Sequence, residues 1–406
     1  MDILAVRDYW INKLKIPLAA SEWLFWSSFV LLLITQFSQG TMFILYYPSA
    51  SFPYRLLMIA GLIAGIKIFL FNHFKNFDEA LLFILLGLLI LVGCQQANDW
   101  NFIYYYLVIL ASQGVDFKKV IKVFLMIIIT GILIAVISSS LGIIMNLTNS
   151  RTGDPGVRFA LGMVYPTDFA ARAFYLQLFY VVYRKFHLSL PELIACLGFT
   201  MTIYFLTDTR LDLVLMLLTL IMSAFYKHII RFIKSIGSNY LSIFGVLSIL
   251  VIIALTYLYQ PNSFIFKVFN KVLSGRLEYG HTAFVKYNVT MFGQFVQQNG
   301  NGGIHHGWFD YFFIDCSFLR ILMMNGFFSF VILIIALCYL SNKFMKENYY
   351  CLELALILII VSSLIDQHLI EISFNILFMA TYANLNEFRE HKSIFARNKI
   401  LSFKSN

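Results

Sequence analysis

Residues 120–145 read VIKVFLMIIITGILIAVISSSLGIIM, a stretch whose only charged side chain is Lys122. A run of about 20 apolar residues is long enough to cross a bilayer as an α-helix. Similar runs recur along the whole 406-residue chain, in which 60% of the residues are apolar and 13% are charged. Soluble domains carry about 25% charged residues, which excludes a soluble globular protein and a soluble nucleic-acid binder. The 17% aromatic content excludes a disordered chain, so the sequence predicts an all-α, polytopic membrane protein.

Twelve apolar segments can be distinguished. They lie near residues 23–46, 54–72, 79–95, 101–115, 120–145, 161–183, 189–207, 211–226, 240–260, 312–340, 350–366 and 368–385. If the N-terminus is cytoplasmic, the inside segments hold nineteen basic residues, and the short outside loops hold only Arg55, Arg151, Arg158 and Arg210. Because Lys and Arg accumulate on the cytoplasmic side, this bias predicts about 12 transmembrane helices with both termini cytoplasmic.

One connection, residues 261–311, is far longer than the others and is predicted to be extracytoplasmic. The expected organisation is spans one to nine in 1–260, the large loop in 261–311, and spans ten to twelve with a cytoplasmic tail in 312–406. Apolar residues at helical spacing predict amphipathic helices on the membrane surface. These residues are Ile265, Phe269, Val272, Leu273 and Leu277, followed by Phe284, Tyr287, Met291 and Phe295. A soluble cap packed on itself is the alternative.

Charged side chains gather at the outward ends of the predicted spans, where charge is costly and needs a reason. They include Asp154, Arg158, Asp168, Arg172, Asp208, Arg210, Asp212, Arg276, Glu278, Asp315, Arg320, Asp366, His368 and Glu371. The short outside loops contain Arg and no Lys, whereas Lys outnumbers Arg by 14 to 5 inside. A guanidinium binds phosphate bidentately and stays charged when partly buried, so an arginine-lined outward cavity would suit a lipid diphosphate. Alternatively, each arginine pairs with a nearby acid, such as Arg172 with Asp168 or Arg210 with Asp208.

His305 and His306 lie in a glycine-rich turn, QQNGNGGIHHGW at 297–308, on the predicted outer side. An imidazole there would suit a general base near neutral pH, and a solvated loop residue is the alternative. Two adjacent histidines without a third ligand are a weak indication of a metal site, and we predict none. No GxxxxGK[ST] or GxGxxG motif occurs, so ATP-driven transport is unsupported and no cofactor is expected.

Four strings, in order along the chain, match one family. RFALGMVYPTDFAARAF at 158–174 resembles the Arg-x-x-Leu-Gly-x-x-x-Pro start of a central span in Wzy-type polysaccharide polymerases of bacterial capsule and exopolysaccharide systems. TDTRLDLVLMLL at 207–218 resembles their Thr-x-Ser-Arg turn, and LSGRLE at 273–278 is similar to the Ser-Gly-Arg string of their outer loop. DCSFLRILMMNG at 315–326 resembles the Asp-Asn-x-x-Leu opening of the next span.

This sequence departs from the family pattern at two positions, with Cys316 in place of Asn and Thr209 in place of Ser. Related O-antigen ligases carry His where Asp315 stands, which favours the polymerase over the ligase.

The resemblance implies glycosyl transfer at the outer face of the bacterial cytoplasmic membrane by a multi-pass protein. A glycan held on undecaprenyl diphosphate would move onto a sugar hydroxyl of an incoming lipid-linked repeat unit. The implied partners are this lipid-linked glycan, the bilayer, a flippase and a chain-length regulator, with no nucleic acid. The expected catalytic residues are Asp315, Arg210, Arg276, His305 and His306. The expected substrate-binding residues are Arg158, Arg172, Asp208, Glu278, Arg320 and Trp308.

The arginines would meet the diphosphate charge without a metal, and Asp315 is the first candidate for the base. Two other functions are kept open. A lipid-linked oligosaccharide flippase or other secondary transporter also needs about twelve spans and buried charges, but it usually holds ionisable residues near the bilayer midplane. An O-antigen ligase-like transferase shares the chemistry and differs in the acceptor.

Overall fold

The computed structural model describes residues 3–14, 17, 19–150, 156–300, 302–304 and 310–390, and they form a helical bundle. The α-helices are α1 (Ile3–Leu14), α2 (Ala19–Gln39), α3 (Phe52–Phe71), α4 (Phe77–Ala97), α5 (Asn101–Ala111), α6 (Phe117–Ser140), α7 (Pro166–Tyr183), α8 (Leu190–Thr207), α9 (Arg210–Ala224), α10 (Tyr226–Ile236), α11 (Ser238–Tyr257), α12 (Phe264–Val272), α13 (Arg276–Lys286), α14 (Ser317–Arg320), α15 (Gly326–Lys346) and α16 (Tyr350–Ser363). Two short antiparallel strands, β1 (Thr148–Ser150) and β2 (Val157–Phe159), form a hairpin between α6 and α7.

Within the described residues, seven helices are long and apolar enough to cross a membrane. They are α2, α3, α4, α6, α8, α11 and the unit from α14 to α15; an eighth is added if α9 and α10, which meet at a 93° bend, count as one span. The shorter apolar helices are α5 and α16. The helical class is therefore as expected, and the long apolar helices are those of a membrane protein.

Local signals fix where these helices begin and end. Asn76 precedes α4, and its side chain accepts a hydrogen bond from the amide of Glu79. At the other end Asn98, with a left-handed φ of 54°, terminates the helix. Asp116 caps α6 by accepting from the amide of Lys118. These caps satisfy amide groups that would otherwise have no partner at the helix ends.

The helix α7 runs through the centre of the bundle. Thirteen of its residues are buried, including Arg172 and Gln177. It packs on α6, α8, α9 and α16, and Gln177 donates to the carbonyl of Met216 in α9 at 3.1 Å. Because α7 is surrounded by protein, its polar side chains lie within the bundle rather than against lipid. We call the end of the bundle where α7, α9 and α14 begin, and α2, α8, α11 and α16 finish, the site end.

The twelfth predicted span, 368–385, is not an α-helix. It contains 3₁₀ turns at His368–Ile370 and Leu377–Thr381 and is mostly buried. The Asn375 side chain donates to the carbonyl of Leu369 at 2.8 Å and accepts from the amide of Leu377 at 3.0 Å. Side chains thus satisfy backbone groups that a helix would pair internally, which makes irregular backbone tolerable inside a bundle.

This irregular stretch, 364–388, crosses the bundle from the site end to the opposite end. Near its start, the amide of Ile372 donates to the side chain of Gln36, close to the end of α2, at 3.0 Å. Near its end, the amide of Asn384 donates to the carbonyl of Val115, just before α6 begins. The stretch therefore runs from one end of the bundle to the other without forming an α-helix.

The long connection between α11 and α14 is only partly as predicted. The first amphipathic helix corresponds to α12 and the start of α13, and none of the nine residues of α12 is buried. This exposed apolar face does not fit a cap packed on itself. The expected second helix is wrong beyond Lys286, because residues 287–300, which the structure describes throughout, are not helical. Within this non-helical stretch Gly293 packs closely against the chain after α14: its φ is 98°, and a Cβ there would lie 2.4 Å from the carbonyl oxygen of Met324.

Candidate functional site

Arg276 and Asp315 meet at the site end as a partly exposed ion pair. Arg276 Nε lies 3.5 Å from Asp315 Oδ2, and each side chain keeps 21% of its surface exposed. The same Nε donates to the carbonyl of Ile365 at 2.7 Å, which places the pair just beyond the end of α16. Ser274 and Gly275 both have left-handed backbone, with φ of 54° and 86°, and this turn makes Arg276 the first residue of α13.

The two groups hold their protons differently. Burial raises the pKa of the Asp315 carboxyl above its ordinary value, because desolvation outweighs the opposing effect of the nearby Arg276 guanidinium. Burial alone would lower the pKa of Arg276, but the carboxylates of Asp315 and Asp366 raise it above its ordinary value. The pair therefore combines a fixed positive charge with a carboxylate that accepts a proton more readily than an ordinary aspartate does.

A second cluster consists of three acids around the buried imidazole of His368. Its Nε2 lies 3.6 Å from Asp168 Oδ1 and 3.5 Å from Asp366 Oδ1, and its Nδ1 lies 3.5 Å from Glu371 Oε1. The imidazole is 4% exposed and stacks on Phe374, with ring centroids 3.7 Å apart. No group of His, Cys, Asp or Glu in the described part of the chain has the arrangement of a metal site. A substrate has no open path to this imidazole.

Asp366 joins the cluster to the ion pair. Its carbonyl accepts hydrogen bonds from the amide and the hydroxyl of Ser317, at 3.1 and 2.5 Å, which ties the chain after α16 to the first residue of α14. Its carboxylate interacts electrostatically with Arg276, Asp315 and the buried Asp212 of α9. Together with Asp168 on α7, the charges of five separate chain segments therefore form one polar layer across the site end.

Arg172 belongs to this layer but is shut away from any ligand. Its guanidinium carbon lies 4.7 Å from the ring centre of Phe37 and 4.2 Å from that of Phe374. The residue is 2% exposed, and its Nη1 is 3.5 Å from the carbonyl oxygen of Ser373. Gly40 makes the space, since a Cβ there would lie 2.2 Å from Arg172 Nη2. The predicted substrate-binding residue is thus placed between two aromatic rings.

Arg320 lies on the other side of α14. Its Nη2 is 3.6 Å from Asp99 Oδ2, and its Nη1 donates to Gln298 Oε1 at 3.1 Å. Beside it is a cavity of about 10 Å³, room for one water molecule, whose lining includes Glu371 and Asn325. Arg320 is therefore paired to an acid, Asp99, which agrees with the alternative that outward arginines pair with acids instead of binding a ligand.

The remaining predicted arginines lie around the turn between α8 and α9. Arg158, on β2, is buried, and its Nε donates to the carbonyl of Thr207 at 2.7 Å. Asp208 has a left-handed φ of 45° and terminates α8. Arg210 begins α9 and is exposed, two residues before the buried Asp212. The turn thus presents one buried and one exposed guanidinium at the site end.

Glu278 is exposed and is occupied within the outer connection. Its backbone amide donates to Asn270 Oδ1 at 3.2 Å, and its Oε2 accepts from Asn270 Nδ2 at 3.2 Å. His305, His306 and Trp308 lie outside the described residues. The structure brings Arg276 and Asp315 together and leaves Glu278 in a contact between α12 and α13.

Sequence reasoning recognised Asp168, Asp366, His368 and Glu371 as charges at span ends, but did not assign them to one cluster. The signal that could have linked them is the cost of burying charge, because several ionisable residues at one end of a bundle must find partners. Which residues pair is set by packing between segments about 200 positions apart.

Comparison with known proteins adds no assignment: no family model, no curated protein and no solved structure matches this chain.

Proposed function

We propose that this protein polymerises lipid-linked oligosaccharide repeat units at the outer face of a bacterial cytoplasmic membrane. The observation that carries the proposal is the Arg276–Asp315 pair, a partly exposed guanidinium and carboxylate at the site end. Both residues also lie in the strings that resemble Wzy-type polymerases, which supports the proposal. The site end would face the outside, and the irregular stretch 364–388 would complete twelve passes with both termini cytoplasmic.

The reaction is a substitution at the anomeric carbon of the growing glycan. The bond from this carbon to the undecaprenyl diphosphate breaks, and the electron pair leaves with the diphosphate. The terminal sugar hydroxyl of the incoming unit forms the new bond and gives its proton to the Asp315 carboxylate. Arg276 stabilises the charge that develops on the diphosphate, and its planar fork can bind two phosphate oxygens at once.

In this proposal, the groups that act on substrate are exposed charges at the site end. Arg276 and Asp315 are each 21% exposed at the side chain, and Arg210 is exposed at the start of α9. Arg172 and His368 are enclosed, so they hold the architecture of the layer. In this proposal Arg210 binds the diphosphate or the glycan beside it, and Arg158 positions the turn that carries Arg210.

A transporter of lipid-linked oligosaccharide is the second candidate, and one observation favours it. The acids around the buried His368, together with irregular backbone inside the bundle, are features that proton-coupled transporters also have. Their position at the end of the bundle, rather than its middle, favours the polymerase.

The deciding experiment uses purified protein in proteoliposomes with lipid-linked repeat units and no nucleotide. Polymerisation gives a ladder of longer glycans on electrophoresis. Unchanged repeat units that become accessible on the opposite leaflet would establish the transporter and overturn the polymerase. Transfer to a single acceptor without a ladder would indicate a ligase-like transferase.

A further inference from the structure

An apolar crevice of about 200 Å³ opens between α11, α15 and α16. Its walls include Phe244, Gly245 and Ile249 from α11, Leu337 from α15, and Ile360 from α16. Both α11 and α15 belong to helices long and apolar enough to cross a membrane, and α16 is a shorter apolar helix, so we take the surroundings of the crevice to be hydrocarbon rather than water. A groove of this kind fits an alkyl or isoprenoid chain.

The crevice lies further from the site end than the Arg276–Asp315 pair, and two of its walls, α11 and α16, end close to that pair. At the site end, α13 packs on α11: a Cβ at Gly280 would lie 2.5 Å from the side chain of Thr256. Arg276 bonds to the carbonyl of Ile365, which is one helical turn beyond Val361 in the crevice wall. A chain attached to a group held by Arg276 could therefore enter the crevice directly.

The far end of the crevice is polar. There Ser341 donates to Glu353 Oε1 at 2.8 Å, and Glu353 Oε2 is buried without a hydrogen-bond partner. Glu353 is twelve positions before Ile365, which corresponds to roughly 18 Å along the helix axis. The length suits several isoprene units and ends near the opposite side of the bundle.

We infer that this crevice binds the isoprenoid chain of the lipid carrier while Arg276 holds its diphosphate. The inference rests on the proposed function, because it takes its occupant from the substrate of that site. The crevice would set the carrier's orientation, so that the anomeric carbon faces Asp315. Recognition would then require a chain long enough to fill the crevice.

Crosslinking to the unmodified protein tests this directly. The probe is a polyprenyl diphosphate that carries a photoreactive group several isoprene units from the phosphate, added to protein in nanodiscs. Mass spectrometry of the adducts should place them on the crevice walls of α11 and α16, and excess unlabelled polyprenyl diphosphate should remove them. Adducts elsewhere on the protein, or adducts that excess phospholipid removes equally well, would overturn the inference.

A substitution that fills the crevice with a larger side chain gives the second test. At Gly245 a Cβ would meet only Ile360, at 3.6 Å, an ordinary contact, so Gly245→Leu places its remaining atoms in the crevice. Gly198→Leu on α8 is the matched control, because a Cβ there meets nothing within 4 Å. With a long-chain carrier, Gly245→Leu should lower kcat/KM about tenfold relative to Gly198→Leu, as when about two buried methylene groups lose their contacts.

With a carrier of a single isoprene unit the two variants should be equal, since the chain is too short to reach Gly245 and Ile360. Equal rates on the long-chain carrier would overturn the inference while leaving the polymerase intact. If the unmodified protein makes no ladder, the polymerase proposal fails, and crosslinking still decides whether the crevice takes an isoprenoid chain.

Discussion

Two groups of charges at the same end of the bundle differ in what can reach them. The Arg276–Asp315 pair is open, with 21% of each side chain exposed, and one of its contacts is a replaceable backbone carbonyl. The cluster around His368 is closed at its centre: the imidazole is 4% exposed and covered by Phe374, although the surrounding carboxylates keep between 12% and 26% of their side chains exposed. Charge at the end of a membrane bundle thus serves two purposes: the exposed guanidinium of Arg276 can act on a ligand, whereas the buried imidazole of His368 holds chain segments together.

The open pair should show the largest loss of activity. Arg276→Lys keeps a positive charge but loses the planar fork, so we expect polymerisation to fall about 10²–10³-fold, the range for losing a donor to developing charge. The rate is measured with lipid-linked units in proteoliposomes, and thermal unfolding should be unchanged. Arg231→Lys, on the exposed face of α10, is the control. Full activity of Arg276→Lys would remove this residue from the site.

The closed cluster should respond in the opposite way. His368→Asn leaves the carboxylates of Asp168, Asp366 and Glu371 without their shared partner, so the protein should lose about 3 kcal/mol of stability. Thermal or denaturant unfolding in detergent measures this change, with His228→Asn at an exposed position as the control. Activity per folded molecule should fall much less than in Arg276→Lys. If His368→Asn is folded and fully stable but inactive, the imidazole acts in catalysis, and the assignment of a structural role to this cluster is wrong.

The sequence could predict the open pair better than the closed cluster. LSGRLE and DCSFLRILMMNG place Arg276 and Asp315 in short local patterns, and hydropathy predicts the helices that position them. The partners of His368 follow from no local pattern, because Asp168 lies 200 positions away on α7. The helical class and the long apolar helices were predictable for the same reason, since they depend on composition within about 20 residues.

The irregular stretch 364–388 shows where hydropathy stops being informative. Its apolar composition predicts a helix, yet the amide of Ile372 donates to Gln36, 336 positions earlier in the chain. The hydroxyl of Tyr105 likewise donates to the carbonyl of Asn375 at 2.5 Å. Partners supplied by distant helices replace the internal hydrogen bonds of a helix, and no window of sequence contains that information.

The protonation of Asp315 sharpens the comparison further. Burial raises its pKa, and only the ionised carboxylate accepts a proton, so activity should fall as the pH drops through this raised pKa. The acidic limb of the pH–rate profile should therefore lie above about pH 4, the range of an ordinary aspartate. Removing the guanidinium in Arg276→Gln removes a group that lowers this pKa, so the limb of the residual activity should move to still higher pH. If the acidic limb does not move in Arg276→Gln, the base that titrates is a group other than Asp315.

Glu278 should give the smallest effect, and it tests whether exposure alone identifies residues that act on substrate. It is exposed and lies two positions after Arg276, but its carboxylate already accepts from Asn270, across the turn between α12 and α13. Glu278→Gln keeps an oxygen that can accept the same hydrogen bond, so polymerisation should change by no more than about twofold, as for surface substitutions generally. Glu278→Lys, which reverses the charge beside the diphosphate, is the companion variant measured in the same assay. If Glu278→Gln lowers the rate as much as Arg276→Lys does, the substrate site extends along α13, and the Glu278 carboxylate acts on substrate rather than only contacting Asn270.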